Sequence, residues 1–288
     1  FMIKLNNISI DYGGEFLFRN ISLMIKKNDR IGLIGNNGSG KTTLLKILAK
    51  QEELSSGNIH LENNLKISYL PQDLVLNSEM NLKDYAMGSN SKIQSLEDKL
   101  NRLNEQLNHA IEEKDQTVLF EQIDNVYLEI ERVDVLRKEI VSEKIMKGVG
   151  FTDVEFNKQL NTFSGGWKMR AELSRILIEE PDIILLDEPT NHLDLPAILW
   201  LEKFLKSTKC SIILVSHDIN FLNKNVNRIL DISNKTIKDF NGNYSRYIIH
   251  REQEIERQIR EKKNQDKYIN QANTLISKFR YKKNKAAF

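Results

Sequence analysis

The stretch Gly35-Asn36-Asn37-Gly38-Ser39-Gly40-Lys41-Thr42 decides the fold of this 288-residue chain. It follows an aliphatic run at 31–34 and leads into a helical pattern at 41–48, as a phosphate-binding loop does. The glycines let backbone N–H groups face a polyphosphate, and the helix N-terminus adds partial positive charge. Lys41 is expected to reach the β and γ oxygens, and the Thr42 hydroxyl to ligate Mg²⁺. The loop residues expected to bind a nucleoside triphosphate are Gly35, Asn36, Asn37, Gly38, Ser39, Gly40, Lys41, Thr42 and Thr43.

A second aliphatic run, 183–186, ends in the acidic pair Asp187 and Glu188. A carboxylate at the end of a buried strand can hold Mg²⁺ through water, and a second one can polarise the attacking water. We assign the metal role to Asp187 and the general-base role to Glu188. An acidic pair at a strand end is common by itself, so this assignment depends on the matching phosphate loop.

The strand pattern predicts an α/β fold with an antiparallel β subdomain. Residues 3–10, 16–18, 21–25 and 31–35 read as short strands separated by turn signals. The later runs 67–70, 183–187 and 212–216 are candidates for buried strands, and the last two each follow a helical stretch. That alternation is typical of parallel strands joined by crossover helices.

A helical segment interrupts the α/β pattern between 83 and 147. Its apolar residues recur at spacings of three and four, which predicts two helices packed as a hairpin with a coiled-coil-like seam. Residues 83–144 carry 9 basic and 14 acidic residues, which disfavours the hairpin as a binder of RNA phosphates. The seam positions are Ile93, Leu96, Leu100, Leu103, Leu107 and Ala110, then Leu119, Ile123, Val126, Ile130 and Val133, with Ile140 in phase.

Composition and charge narrow the class of protein further. The chain is 40% hydrophobic and 28% charged, and its longest aliphatic runs are four residues, so we expect no membrane span. One cysteine, Cys210, fits a reducing cytoplasm. The net charge of +2 hides a tail, 251–288, with 11 basic and 5 acidic residues. Such a tail suits nucleic-acid contact and a solvated helix equally well.

The segment Phe163-Ser164-Gly165-Gly166-Trp167-Lys168-Met169-Arg170 resembles the signature motif of ATP-binding-cassette (ABC) ATPases. Four further positions resemble other motifs of that family, and the resemblance covers about 3–247. Phe163 and Trp167 depart from the usual Leu and Gln. The four are Gln72 of the glutamine loop, Asp194 of the D-loop, His217 of the switch, and Tyr12, placed like the aromatic that stacks on adenine.

Four segments narrow the resemblance to the ABC-F subfamily, which lacks membrane domains and acts on ribosomes. They are Ser-Gly-Gly-Trp-Lys-Met-Arg at 164–170, Glu-Pro-Thr-Asn-His-Leu-Asp at 188–194, Gly-Asn-Tyr-Ser-Arg-Tyr at 242–247, and the linker-like run 278–286. ABC-F chains normally carry two cassettes, so the resemblance implies the first cassette and part of the linker. We expect the ATPase core at 1–82 and 148–250, the helical insertion at 83–147, and the linker at 251–288.

The resemblance also implies a mechanism in which two cassettes sandwich ATP. Ser164, Gly165 and Gly166 would face the γ-phosphate held by the other cassette. Glu188, His217 and Gln72 would serve hydrolysis, and Thr42, Gln72 and Asp187 would hold Mg²⁺. The implied partners are a second cassette or a second copy of the chain, and a ribosome with its rRNA or tRNA, in the cytoplasm and without a membrane. The open alternatives are a membrane-transporter ATPase subunit and a DNA-maintenance ATPase.

Overall fold

Strands and helices alternate along most of the chain, and a computed structural model describes residues 2–88, 91–109, 113–132 and 135–285. The strands are β1 Ile3–Tyr12, β2 Glu15–Ile25, β3 Arg30–Gly35, β4 Ser56–Leu61, β5 Ile67–Leu70, β6 Ile183–Asp187, β7 Ser211–Val215, β8 Arg228–Ser233 and β9 Thr236–Asn241. The helices are α1 Lys41–Leu48, α2 Leu82–Ala86, α3 Ser91–His109, α4 Glu113–Arg132, α5 Val135–Gly148, α6 Gly165–Ile178, α7 Leu195–Ser207, α8 Ile219–Asn225 and α9 Tyr244–Lys285.

The main sheet has six strands in the order β5-β6-β7-β3-β8-β9. Every neighbouring pair is parallel except β8 with β9. All residues of β6 and β7 are buried, as continuous aliphatic strands covered on both faces must be. The expected α/β class is confirmed, and the carboxyl ends of β3 and β6 meet at one edge of the sheet.

A smaller antiparallel sheet in the order β2-β1-β4 packs with α1 on one face of the main sheet. The separate strands predicted at 16–18 and 21–25 are one strand, β2, so that prediction is wrong. The chain passes Asn20 in a left-handed conformation, and its N–H donates to the Ser9 hydroxyl at 3.0 Å. This local irregularity interrupts the alternation of buried and exposed side chains along β2 without ending its pairing with β1.

The helical insertion contains the predicted seam. Leu96 and Leu103 of α3 are buried against Ile123 and Val126 of α4, which confirms the hairpin at these positions. Ile140 is 70% exposed on the separate helix α5, so its placement in the seam is wrong. Ala110 and Val133 lie outside the described residues, as do the side chains of Ile93 and Ile130. The end of α5 instead packs into the core that α6 and α7 share.

Residues 251–285 of the basic tail belong to α9, a helix of 42 residues that is docked at its start and whose described side chains from 255 to 274 are exposed. The Tyr247 hydroxyl donates to Asp231 Oδ2 at 2.6 Å, and both residues are buried. Burial and this bond raise the pKa of Tyr247. Within the described ranges, no helix has both the length and the apolar composition needed to cross a bilayer.

Replacing Tyr247 with Phe should lower the free energy of unfolding by about 1–3 kcal/mol, because the buried Asp231 carboxylate loses its shorter hydrogen bond and keeps only the Ser233 hydroxyl at 3.4 Å. Urea unfolding of the parent and the variant measures this difference. Tyr244→Phe is the control, since its hydroxyl makes no hydrogen bond within the described part of the chain. Equal losses in the two variants would mean that the Asp231 contact does not stabilise the start of α9.

Candidate functional site

The loop between β3 and α1 has the conformation that its glycines permit. Gly40, which precedes the first residue of α1, has φ 99°, and a Cβ there would lie 2.5 Å from the Phe18 ring. The position therefore requires glycine for both its backbone conformation and its packing. The Lys41 ammonium donates to the carbonyls of Gly35 at 2.9 Å and Asn36 at 3.1 Å, so it lies back over the loop.

A hydrogen bond joins the start of α1 to the end of β6. The Thr42 hydroxyl donates to Asp187 Oδ2 at 2.7 Å, and Asp187 is 1% exposed. Burial raises the pKa of Asp187, while the Thr42 bond and the charge of Lys41 act in the opposite direction. The hydroxyl and the carboxylate thus already meet at the sheet edge, with their oxygen atoms pointing at one another.

Glu188 turns away from the strand in a left-handed conformation, with φ 53°. Its Oε2 accepts a hydrogen bond from the backbone N–H of His217 at 3.1 Å, and its Oε1 lies 3.5 Å from His217 Nε2. Oε1 is buried and has no hydrogen-bond partner among the described residues. A buried carboxylate oxygen without a donor costs free energy, so Oε1 is suited to accept a hydrogen bond from a further group such as water.

One cavity of about 480 Å³ brings these groups together. It is open to solvent and lies over the phosphate loop, between the sheet edge and the segment after β5. Of the residues predicted for nucleotide, metal and catalysis, its walls contain Gly38, Gly40, Lys41, Thr42, Thr43, Gln72, Asp187, Glu188 and His217. The loop residues Asn36 and Ser39 line an adjoining cavity, and Asn37 lines both.

The four residues predicted for the signature motif and the D-loop lie outside this cavity. Ser164 and Gly165 are exposed at the start of α6, and Gly166 faces the ring of His192. Asp194 accepts from the Ala197 N–H at 3.1 Å and so caps α7. The structure therefore does not bring the signature segment to the chain's own phosphate loop. The side chain of Tyr12 is outside the described residues, although its backbone ends β1.

Sequence reasoning missed two features beside the site. The buried Tyr69 hydroxyl has no partner among the described residues, and its pKa is raised by burial and, to a smaller extent, by the nearby charge of Asp187. Tyr69 pairs with Leu185 in the sheet, which places it on the face that Asp187 occupies two residues later. The second feature is the adjoining cavity of about 1000 Å³, whose far wall is α9. No sequence motif predicts either feature, because the place of Tyr69 depends on strand register and the larger cavity depends on the docking of α9.

Comparison with known proteins agrees with this geometry. Two family models, both described as ABC transporter, match residues 18–191 and 230–287. ABC transporter F family member 2 of Arabidopsis thaliana is 34% identical over 278 residues, covering 96% of this chain and 41% of the relative. ATP-binding protein Uup of Haemophilus influenzae is 34% identical over 254 residues, covering 88% of this chain and 38% of the relative. The chain thus spans about two fifths of the length of these relatives.

Solved structures show the same fold. The ATP-binding subunit of an ABC transporter aligns with a TM-score of 0.61 at 17% identity, covering 84% of this chain and 90% of that one. The dimeric cassette MJ0796 bound to ADP and Pi aligns with a TM-score of 0.54 at 21% identity, covering 83% and 98%. Fold and site define an ATP-binding-cassette ATPase with a phosphate loop. The chain belongs to the ABC transporter family, and within it to the F family.

Replacing Thr42 with Val should lower the free energy of unfolding by about 1–3 kcal/mol without nucleotide, because the buried Asp187 carboxylate loses its donor. Chemical denaturation measures the change. Thr43→Val is the matched control: it lines the same cavity, and its hydroxyl makes no hydrogen bond within the described ranges. If the control loses as much stability as Thr42→Val, the bond to Asp187 is not what stabilises this edge.

Proposed function

We propose that the cavity over the phosphate loop binds ATP and hydrolyses it. The observation that carries this proposal is the meeting of Lys41, Thr42, Asp187, Glu188 and His217 in one cavity. Lys41 is held by two loop carbonyls, which are weaker partners than phosphate oxygens. Loop N–H groups and the start of α1 add further attraction for the anion. The remaining loop residues and Tyr12 would complete the site around phosphates and base.

The oxygen atoms at this site fit Mg²⁺. Mg²⁺ prefers oxygen ligands and keeps several waters, and Thr42, Asp187 and Gln72 supply hydroxyl, carboxylate and amide oxygens at one cavity. Within the described ranges, no group of three or more His, Cys, Asp or Glu could hold a metal. The ion would therefore be shared between these side chains and the nucleotide. When bound, it would neutralise charge on the phosphate oxygens.

Glu188 and His217 would act on the attacking water. The Glu188 carboxylate is fixed by the His217 N–H, and its second oxygen has no donor among the described residues. That oxygen would accept a proton from the attacking water and would orient this water toward the γ-phosphate. His217, exposed and beside the same oxygen, would stabilise this arrangement. Lys41 would offset the negative charge that develops on the transferred group.

A second cassette would complete the site. Ser164 and Gly165 are exposed, Gly166 is partly buried, and all three lie outside their own chain's cavity, which suits contact with ATP held by another cassette. Asp194 would lie at the same contact as the D-loop residue. The second cassette would come from a longer form of the chain or from a second copy. A single cassette should therefore hydrolyse ATP weakly.

Membership of the F family supports a cytoplasmic, ribosome-associated role in translation, in elongation or in protection from antibiotics. The cassette core at 1–82 and 148–250 would drive closure, with the basic linker 251–288 as a contact element for the ribosome, rRNA or tRNA. The acidic insertion 83–147 would affect the ribosome-dependent activity without binding RNA phosphates. A transporter ATPase subunit and a DNA-maintenance ATPase are the alternatives. Binding to purified ribosomes, duplex DNA and membranes separates the three.

Lys41→Ala should lose most of the affinity for ATP, because Lys41 is the cation that the loop brings to the β and γ phosphates. Titration with a fluorescent ATP analogue measures this, and circular dichroism checks that the variant remains folded. Lys46→Ala is the matched control, since Lys46 is on the same helix but does not line the cavity. Equal affinity of the parent and Lys41→Ala would overturn the assignment of the site.

Glu188→Gln should trap the ATP-bound state, because the amide cannot take the proton but keeps the size of the carboxylate. With the equivalent change in the second cassette of the longer protein, co-sedimentation with ribosomes should increase in ATP relative to ADP, and translation should be inhibited. A transporter subunit with this change would leave purified translation unaffected. No gain in ribosome pelleting with ATP would refute the ribosomal role while leaving the ATPase assignment standing.

A further inference from the structure

The signature helix α6 carries a buried arginine that contacts two distant segments. Arg170 Nε donates to the His192 carbonyl at 2.9 Å, and its NH1 donates to the Val149 carbonyl at 3.0 Å. NH1 also lies 3.7 Å from Asp194 Oδ2. His192 and Asp194 belong to the segment that follows the acidic pair. Val149 directly follows the helical insertion, so one guanidinium joins three separate parts of the chain.

Aromatic rings join the same parts. The Arg170 guanidinium carbon lies 4.5 Å from the centroid of the Trp167 ring, which packs on Phe151 with a centroid distance of 5.0 Å. Phe151 also meets Phe163 edge-on at 5.8 Å. Phe163 and Trp167 are the positions at which the signature segment departs from the common motif. Both departures therefore pack against residues 149–151, which we call the base of the insertion.

The base of the insertion fits closely around the guanidinium. Gly150 has φ 106°, and a Cβ at this position would lie 2.6 Å from Arg170 NH1. Only glycine leaves room for the guanidinium in the place that its two carbonyl bonds define. A lysine could not replace it, because an ammonium lacks the planar fork that serves two carbonyls in fixed directions.

We propose that Arg170 is a positioning residue that fixes the signature segment and the segment 190–195 to the base of the insertion. A force on the insertion thereby reaches Ser164 and Asp194, the residues that face the second cassette. The importance of that face rests on the proposed function. The coupling itself is a property of this chain and is measurable without nucleotide, ribosome or second cassette.

Arg170→Lys should loosen both segments together. The reporters are the amides of Phe151 and Leu193, which donate to the carbonyls of Met146 and Thr190. Their hydrogen exchange should accelerate about tenfold, since each segment loses a buried hydrogen bond. Arg175→Lys is the matched control, because the Arg175 bonds go to Glu172 and Glu179 of the same helix and its C-cap. It should leave both amides within about twofold of the parent.

A double-mutant cycle distinguishes transmission from general loosening. Gly150→Ala strains the backbone of the base of the insertion, because Gly150 has φ 106°, and crowds the Arg170 guanidinium. If the proposal is correct, this strain reaches the Leu193 segment through Arg170. In the parent, Gly150→Ala should accelerate exchange of the Leu193 amide about tenfold, and in Arg170→Lys it should add nothing. Equal acceleration in both backgrounds, or none in either, would overturn the proposal.

Nucleotide binding separates this proposal from the proposed function. Arg170→Lys should bind the fluorescent ATP analogue as the parent does, because Arg170 does not line the cavity of the phosphate loop. If Arg170→Lys fails to bind the analogue because it does not fold, thermal unfolding of the variant will show this. The coupling would then be tested with Gly150→Ala alone, whose Leu193 amide must accelerate if the proposal is correct. Failure of Lys41→Ala to lose ATP would leave the exchange results unaffected.

Discussion

The hydrogen bond between Thr42 and Asp187 is the contact on which the site depends. It joins the first turn of α1 to the end of β6 across 145 residues of sequence. Because Asp187 is buried, its carboxylate must keep a donor, and that requirement holds the phosphate loop against the sheet edge. The loop, the acidic pair and the His217 segment are then brought together by the register of the parallel strands. The arrangement of these groups thus follows largely from the packing of the chain itself.

Much of the core was predictable from sequence, because the residues that mark its strands and helices are also the residues that its packing requires. The bounds of α1, β5 and β6 match the expected ones, because glycines, aliphatic runs and carboxylates mark their ends. The strands β4, β8 and β9 were not predicted. β4 and β9 are largely exposed edge strands, whose apolar residues are too few to stand out. For β8, the buried Asp231 interrupts the apolar run, and its burial becomes intelligible only with Tyr247 in place.

The insertion shows where periodicity stops being informative. Heptad spacing correctly paired Leu103 with the face of α4, because that seam is formed by two neighbouring helices alone. The same spacing wrongly predicted Ile140 in the seam, because α5 begins as a separate helix at Val135. For the site, the resemblance implied that Ser164 faces ATP held by another cassette, but the residues alone could not show that Ser164 and Asp194 lie away from the chain's own loop. That separation follows from where α6 and α7 pack, which motifs do not encode.

The start of α9 is docked and its described side chains from 255 to 274 are exposed, so the helix can act as a lever. At 1.5 Å per residue, the part of α9 beyond Tyr247 extends about 57 Å to Lys285, and Tyr247 lies beside β8, the strand that pairs with β3 ahead of the phosphate loop. A rotation of about 10° about Tyr247 would sweep the far end through about 10 Å, given that length. Displacements near Tyr247 that are too small to disturb the packing around Asp231 would therefore move the far end of the helix by about the diameter of an α-helix.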